Sequence, residues 1–330
     1  MTKIIEHLIG GKRIAGGTRM QPLYNPATGQ STRSVRLANK RTVEQAISAA
    51  QKAFPAWRGT IPSKRARVMS QLKILLEQNS DRLCQLITSE HGKVLKDSLG
   101  ELQRGIENVE YASYAPELLK GEHSCNVGPG IDSWSEFQAL GVAAGITPFN
   151  FPAMVPLWMW PMAVVCGNTF VLKPSEKDPS CAILIAELAH QAGLPPGVLN
   201  VVNGDKEAVD ALLNDSRVKA ISFVGATATA EYIYSTGCAH GKRVQALGGA
   251  KNHAVVMPDA DIDQVTNSLI GAAYGSCGER CMAVSLVVAV GEATADALVV
   301  GLKKAIAKMK VGPGTDPTSD MGPLVTQQHY

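Results

Sequence analysis

Hydrophobic positions recur at helical spacing through the first third of the chain and then give way to short, nearly unbroken apolar runs. After a strand-and-turn entry, Ala46, Ile47, Ala50, Ala53 and Phe54 share one helical face, with Thr42 placed to cap it. Ser63 opens a second helix that puts Val68, Leu72, Leu75 and Leu76 on one side, and Asp81 starts a third that stops near Gly92. A fourth amphipathic run covers 97–119 and contains Arg104, and 121–130 reads as a polar break.

Beyond the break the period changes. Apolar strands at 169–172, 198–202, 220–224 and 244–247 alternate with helices at 179–192, 207–213 and 229–235, joined by only a few residues. Such alternation predicts an α/β fold with a doubly wound parallel sheet and a ligand site at its carboxyl edge. A further block begins with the strand HAVVM near His253, continues through a helix over 261–274 to the polar turn at 275–282, and ends in a strand to Val290 and a helix to Met309. No internal repeat or low-complexity tract interrupts the pattern.

Composition narrows the function classes. With 45% hydrophobic and 18% charged residues, 330 residues can bury a sizeable core. The 32 basic and 29 acidic side chains are scattered, for a formal charge of +3, so no nucleic-acid footprint is expected. The stretch 137–172 has no charged side chain, but Pro148, Pro152, Pro156 and Pro161 would break any membrane span there. The N-terminus has neither a signal-peptide core nor a transit-peptide pattern, so a cytoplasmic location is expected. The seven cysteines have unrelated spacings and are expected to be reduced.

Three segments carry candidate chemistry. GSCGERCMA places Cys281 after a polar turn, where a thiolate beside Arg280 could act as a nucleophile. A small buried hydrophobe is the plain alternative. A metal pair with Cys277 lacks a histidine-rich or CxxC context, and no metal site is expected. In ITPFNFP, the Asn150 amide could donate to an oxyanion, or Asn150 could be an ordinary turn residue. In VLKPSEKDPS, Lys173, Glu176 and Lys177 end a strand and suit ribose hydroxyls, or form a solvated charge cluster.

These segments, with FVG ending at Gly225 and GGAKN starting at Gly248, stand in the order and spacing of the aldehyde dehydrogenase superfamily, which the whole chain from NPATG onward resembles. The resemblance implies an NAD-binding domain over 1–248, with N-terminal helices and an oligomerisation strand near 124–145, and the start of an α/β catalytic domain over 249–330. It implies Cys281 as nucleophile, Asn150 and the Cys281 N–H as oxyanion hole, and Thr147, Phe149, Lys173, Glu176, Lys177, Gly225, Ala226 and Gly248 about the NAD. Ala226 replaces the serine usual in the family, which removes one hydroxyl near the cofactor phosphates.

Hydrolytic members carry a glutamate before the Gly-Gly at 248, where this chain has Ala246 and Leu247. With no base to activate water, an acyl-cysteine would await a thiol, as in the CoA-acylating branch. GAKNHAVVMPDADID and RCMA resemble the methylmalonate-semialdehyde dehydrogenases of that branch. There, arginines matching Arg104 and Arg280 suit a substrate carboxylate; without the resemblance, Arg104 reads as a surface helix charge. The resemblance thus implies oxidation of methylmalonate or malonate semialdehyde with NAD and coenzyme A, giving propanoyl-CoA or acetyl-CoA, in a homo-oligomer. Valine and inositol breakdown both feed such an enzyme. Family members also continue past the position of Tyr330. On that expectation the catalytic domain is partial, and a catalytically inactive NAD-binding fragment or an enzyme for another aldehyde are the alternatives.

Overall fold

The computed structural model describes residues 3–330. Its centre is a seven-stranded sheet in the order Arg243–Leu247, Val218–Val224, Val142–Ile146, Thr169–Lys173, Leu199–Val201, His7–Ile9, Lys12–Ile14. The first five strands are parallel, and the N-terminal hairpin adds an antiparallel edge. From Val142–Ile146 the chain steps outward through two strands on one side, then returns to build two on the other. The switch therefore lies between Val142–Ile146 and Val218–Val224, where the loops leaving their carboxyl ends diverge and open a crevice.

Both faces of the sheet are covered, which is why its strands read as continuous apolar runs. Val142, Ala144 and Ile146 pack into one cluster with Val43, Ile47 and Leu212, while Ala143, Phe170 and Leu172 point the other way, among Trp160, Ile183 and Leu188. The period-two alternation divides a single strand between two cores. The uncharged stretch supplies the helix Met154–Val165, apolar on all sides because it is buried between the sheet and the helix Leu95–Ala112. Among the described residues no helix is long and apolar enough to cross a membrane.

Four helices, at Lys40–Arg58, Pro62–Gln78, Ser80–His91 and Leu95–Ala112, separate the N-terminal hairpin from the parallel strands of the sheet. The first is capped by Asn39, whose side chain accepts from the Thr42 N–H, so Thr42 is a first-turn residue and not the cap expected of it. The run expected over 97–119 splits: it ends at Ala112, and a short turn of helix follows at Ala115–Leu118. Gly92 ends the third helix at φ +91°, a left-handed conformation that glycine adopts without a Cβ penalty. The segment expected as a polar break holds a strand, His123–Gly128, paired antiparallel with Ile131–Trp134 in a separate exposed hairpin. The turn residues Gly130 and Asn126 in this stretch hid the strand from a composition-based reading.

After Leu247 the central sheet is complete, and Asn252–Val256 begins a separate parallel pair with Val284–Ala289. The helices Ile262–Leu269 and Glu292–Ile306 pack on it through Leu269 and Leu298. The helix expected over 261–274 keeps regular α-geometry only to Leu269; residues 270–274 form a wider turn.

Candidate active site

A cleft of about 1020 Å³ opens at the carboxyl edge of the sheet, at the switch point. Its walls come from the ends of four strands: Thr147 to Asn150 after Val142–Ile146, Lys173 and Glu176 at the end of Thr169–Lys173, Gly225 and Ala226 after Val218–Val224, and Gly248 after Arg243–Leu247. Cys281 faces it from the separate pair of strands. The structure thus brings Cys281, Asn150, Thr147, Phe149, Lys173, Glu176, Gly225, Ala226 and Gly248 to one cavity. Arg280 borders this cleft and also the neighbouring cavity behind it.

The loop carrying the cysteine is held under conformational tension. Ser276 and Cys277 both have positive φ, at 54° and 56°, and Gly278 follows at 70°. Two consecutive non-glycine residues in this region cost on the order of 1–3 kcal/mol each and must be held by their surroundings. Asp97 supplies part of the hold: one carboxylate oxygen accepts from the Ser276 N–H at 3.1 Å, and the other meets the Arg280 guanidinium at 3.0 Å. From the other side Asn252 donates through its amide to the carbonyls of Cys281 and Ala283, both at 2.9 Å. Cys281 itself packs against Phe151, Met154, Val155 and Val224.

Its neighbour Cys277 is different in kind. The Cys277 thiol donates to the Gly322 carbonyl at 2.8 Å, and burial pushes its pKa up to about 11. A thiol so placed stays protonated at neutral pH and is a poor nucleophile.

Asn150 is fixed from beneath by a buried ion pair. Lys93 and Glu101 are both inaccessible to solvent and lie 2.8 Å apart. Lys93 also donates to the Asn150 carbonyl at 2.6 Å and lies 4.7 Å above the Phe151 ring. The second Glu101 oxygen accepts from the Ala153 and Met154 N–H groups, the otherwise orphaned start of the helix Met154–Val165. One salt bridge therefore clamps both ends of the loop that presents Asn150. Sequence reasoning missed this clamp, although Glu101 falls in line with Ser98, Leu102 and Ile106 on the buried face of its helix. A carboxylate within an apolar stripe is the signal that marked it.

The opposite wall offers features that take a phosphate. The helix Thr227–Ala239 starts in the cleft at Ala226, which has extended backbone and no side-chain cap, so the first N–H groups face the cavity. A Cβ built on Gly225 would stand 2.4 Å from the Phe223 ring, and one on Gly248 3.1 Å from the Thr227 hydroxyl. Glycine at both positions lets backbone approach closely. Lys173 is buried, donating to the Gly204 carbonyl at 3.0 Å and lying 3.3 Å from Glu176.

Two of the anticipated residues are placed otherwise. Arg104 stands exposed on the helix Leu95–Ala112 and does not line the cleft. Lys177 turns away from the cleft to the next cavity, its ammonium 4.6 Å over the Phe149 ring. His329 lies against the same ring at 4.8 Å and pairs with Glu279 at 3.0 Å. Burial raises the Glu279 carboxyl above its usual range against the pull of His329. Neither His329 nor Glu279 was singled out from the sequence.

Comparison with known proteins agrees with this architecture. Residues 14–330 match the family model described as aldehyde dehydrogenase family. The chain is 63% identical over 322 residues to a malonate-semialdehyde dehydrogenase of Pseudomonas aeruginosa, covering 98% of this chain and 65% of that protein. It is 49% identical to malonate-semialdehyde dehydrogenase 3 of Geobacillus kaustophilus, covering 99% of this chain and 68% of the relative. Among solved structures it superposes with TM-score 0.98 and 67% identity on a methylmalonate-semialdehyde dehydrogenase of Oceanimonas doudoroffii, covering 100% of this chain and 67% of the other. It superposes equally, at 0.98 and 49% identity, on a proposed methylmalonate-semialdehyde dehydrogenase of Sinorhizobium meliloti complexed with NAD, covering 99% of this chain and 67% of the other. The chain spans about two thirds of the length of these relatives, and it belongs to the aldehyde dehydrogenase family.

Proposed function

We propose that the chain carries the site for NAD-dependent, CoA-acylating oxidation of methylmalonate semialdehyde or malonate semialdehyde. The observation that carries the reading is the cleft itself. A strained loop presents Cys281 opposite a clamped Asn150, and the strand end where a hydrolytic base would stand holds Ala246 and Leu247. The relatives' malonate- and methylmalonate-semialdehyde activities supply the substrate class.

In this reading the Cys281 sulfur attacks the aldehyde carbon, and the resulting oxyanion accepts from the Asn150 amide and the Cys281 N–H. Preorganisation matters because donors that are already oriented need not reorganise as charge develops. The Lys93–Glu101 clamp holds the backbone from which the Asn150 amide projects, and Asp97 and Asn252 hold the cysteine loop. The opposite wall would hold NAD, the uncapped start of Thr227–Ala239 suiting its phosphates and Lys173 and Glu176 a ribose, and NAD when bound would supply the hydride acceptor. The acyl group left on Cys281 is then taken by the thiol of coenzyme A, with Cys281 the leaving group. Loss of carbon dioxide from the malonyl-type acyl group gives propanoyl-CoA or acetyl-CoA. Each turnover consumes one aldehyde, one NAD and one CoA, and yields one thioester, one carbon dioxide and one NADH.

A second reading, an enzyme for another aldehyde, is favoured by the arginines. Arg104 lies outside the cleft, and Arg280 is already paired with Asp97, so neither offers a free guanidinium to a substrate carboxylate. NADH formation by the purified chain from methylmalonate semialdehyde, with and without CoA, separates the two. CoA-dependent NADH with propanoyl-CoA as product supports the first. CoA-independent turnover of aldehydes lacking a carboxylate supports the second.

A further inference from the structure

The exposed hairpin formed by His123–Gly128 and Ile131–Trp134 lies outside the catalytic cleft, and its register creates a second cluster of reactive side chains. His123 pairs with Trp134 and Ser124 with Ser133. Between Ser124 and Gly128 the register shifts, so Cys125 and Asp132 lie in an irregular stretch of the ribbon. Side chains two apart on a strand, and those directly opposite across an antiparallel pair, share a face. His123 and Cys125 are two apart on their strand, and their donor atoms and that of Asp132 all lie within 4.8 Å of one another. His123 Nδ1 is 3.8 Å from Cys125 Sγ. Asp132 is oriented by the Asn126 N–H, which donates to one carboxylate oxygen at 3.0 Å and leaves the other free.

We infer that this trio is a binding site for a divalent transition-metal ion of the zinc type. Donors on a tetrahedral ion with bonds of ~2.0–2.3 Å stand roughly 3.3–3.8 Å apart, so rotamer adjustments of three exposed side chains close the set. A thiolate, an imidazole and a carboxylate select zinc or cobalt over magnesium and calcium, which take oxygen ligands. Three protein ligands leave the fourth position to water. The backbone N–H on Asp132 performs the orienting role that outer hydrogen bonds have at metal sites. Nothing in the sequence announces the trio as a metal motif, because the donors are brought together by strand pairing and not by a CxxC or HxxxH spacing. The inference is independent of the proposed reaction, and its test needs no turnover.

Cobalt(II) is the probe, titrated into untagged, reduced protein while the near-ultraviolet thiolate-to-cobalt absorption is followed. Trp134, directly opposite His123, gives a second readout through quenching of its emission. One equivalent is expected to bind per chain, to quench Trp134 and to be displaced by zinc. Cys125→Ser should abolish the absorption, and His123→Ala and Asp132→Asn should each weaken binding by at least about tenfold. All three positions are exposed, so the variants are expected to fold, which circular dichroism checks. The inference is overturned if no absorption develops, if it survives in Cys125→Ser as adventitious binding elsewhere, or if it is lost in Cys238→Ser or Cys281→Ser instead.

Discussion

Lys93 Nζ lies 2.6 Å from the main-chain oxygen of Asn150 and 2.8 Å from Glu101, with no solvent access to either charge. Removing one member leaves the other buried and unpaired, which costs roughly 3–5 kcal/mol, whereas replacing both by apolar groups costs much less. Lys93→Met should therefore destabilise the chain by about that amount in urea unfolding, and Lys93→Met combined with Glu101→Leu should recover part of the loss. Additive losses in the double variant would show that the two groups do not act as a pair.

Cys281 and Cys277 are four residues apart in one loop and should behave oppositely. Cys281→Ser is expected to lower the rate of NADH formation by at least about a thousandfold, with unfolding free energy changed by less than about 1 kcal/mol. Cys277, hydrogen-bonded to Gly322 and with its pKa near 11, should resist alkylation at neutral pH. Mass spectrometry of the alkylated protein should find Cys281 modified before Cys277. The reverse order would remove Cys281 from the role of nucleophile.

Loss of the oxyanion donor is testable apart from loss of the nucleophile. Asn150→Ala should lower kcat by about a hundredfold to a thousandfold with little change in NAD affinity, because the amide acts only where charge develops. Single-turnover kinetics of NADH formation checks this, and a change confined to KM would contradict it.

The parallel strands were legible because burial on both faces leaves an unbroken apolar run, as in Thr169–Lys173, and because a helix between successive strands carries the chain back so that they run parallel. That Cys281 and Asn150 meet in one cleft with Lys173, Glu176 and Gly225 was legible from the order and spacing of the family's segments, although Lys177 lies outside it. The clamps were not legible: Asp97 meets Ser276 across 179 positions, and Lys93 meets the Asn150 carbonyl across 57. Such contacts are set by how helices pack against the sheet, which local periodicity does not encode. Arg280 was readable as a cation beside the cysteine, but its partner Asp97 sits on a distant helix. The hairpin at His123–Gly128 and Ile131–Trp134 was anticipated only as a strand near 124–145 implied by the resemblance, because turn-forming residues within it make its residue pattern read as a loop.

His91 is buried with both ring nitrogens unpartnered, and burial, reinforced by the Lys93 charge, holds its pKa well below the usual histidine value. The folded chain thus leaves His91 neutral where the unfolded chain, titrating near about 6.5, takes up a proton. More protons are bound unfolded than folded below that pH, so stability falls as pH drops from about 6.5 toward the lower folded value, and is fully present above it. Buried Asp178 acts in the opposite sense: burial first, then the Glu90 and Glu101 charges, raise its pKa well above the usual aspartate value. Its share is present below about 4 and is lost as pH rises through the folded value. Urea midpoints between about pH 5 and 8 for the parent and His91→Phe isolate the histidine. The difference between them should narrow above pH ~6.5 and widen in favour of the variant below it; parallel curves would show that His91 does not titrate on unfolding.

Ala226 leaves the helix Thr227–Ala239 without a side-chain cap at the cleft wall, with extended backbone (φ −67°, ψ 147°) that suits an N-cap residue. A serine hydroxyl there can accept from an N–H of the first turn, worth roughly 0.5–2 kcal/mol. Ala226→Ser should therefore raise unfolding stability by about that amount. Its effect on NAD affinity, read by calorimetry, depends on the same N–H groups. If the hydroxyl only caps the helix, it competes with a phosphate and affinity falls. If it turns toward the phosphate, it adds a donor and affinity rises. Given the serine usual in the family at this position, the expected outcome is tighter binding by a few-fold, about 1 kcal/mol for one added hydrogen bond. Unchanged affinity together with a stabilised helix would place the phosphates away from Ala226.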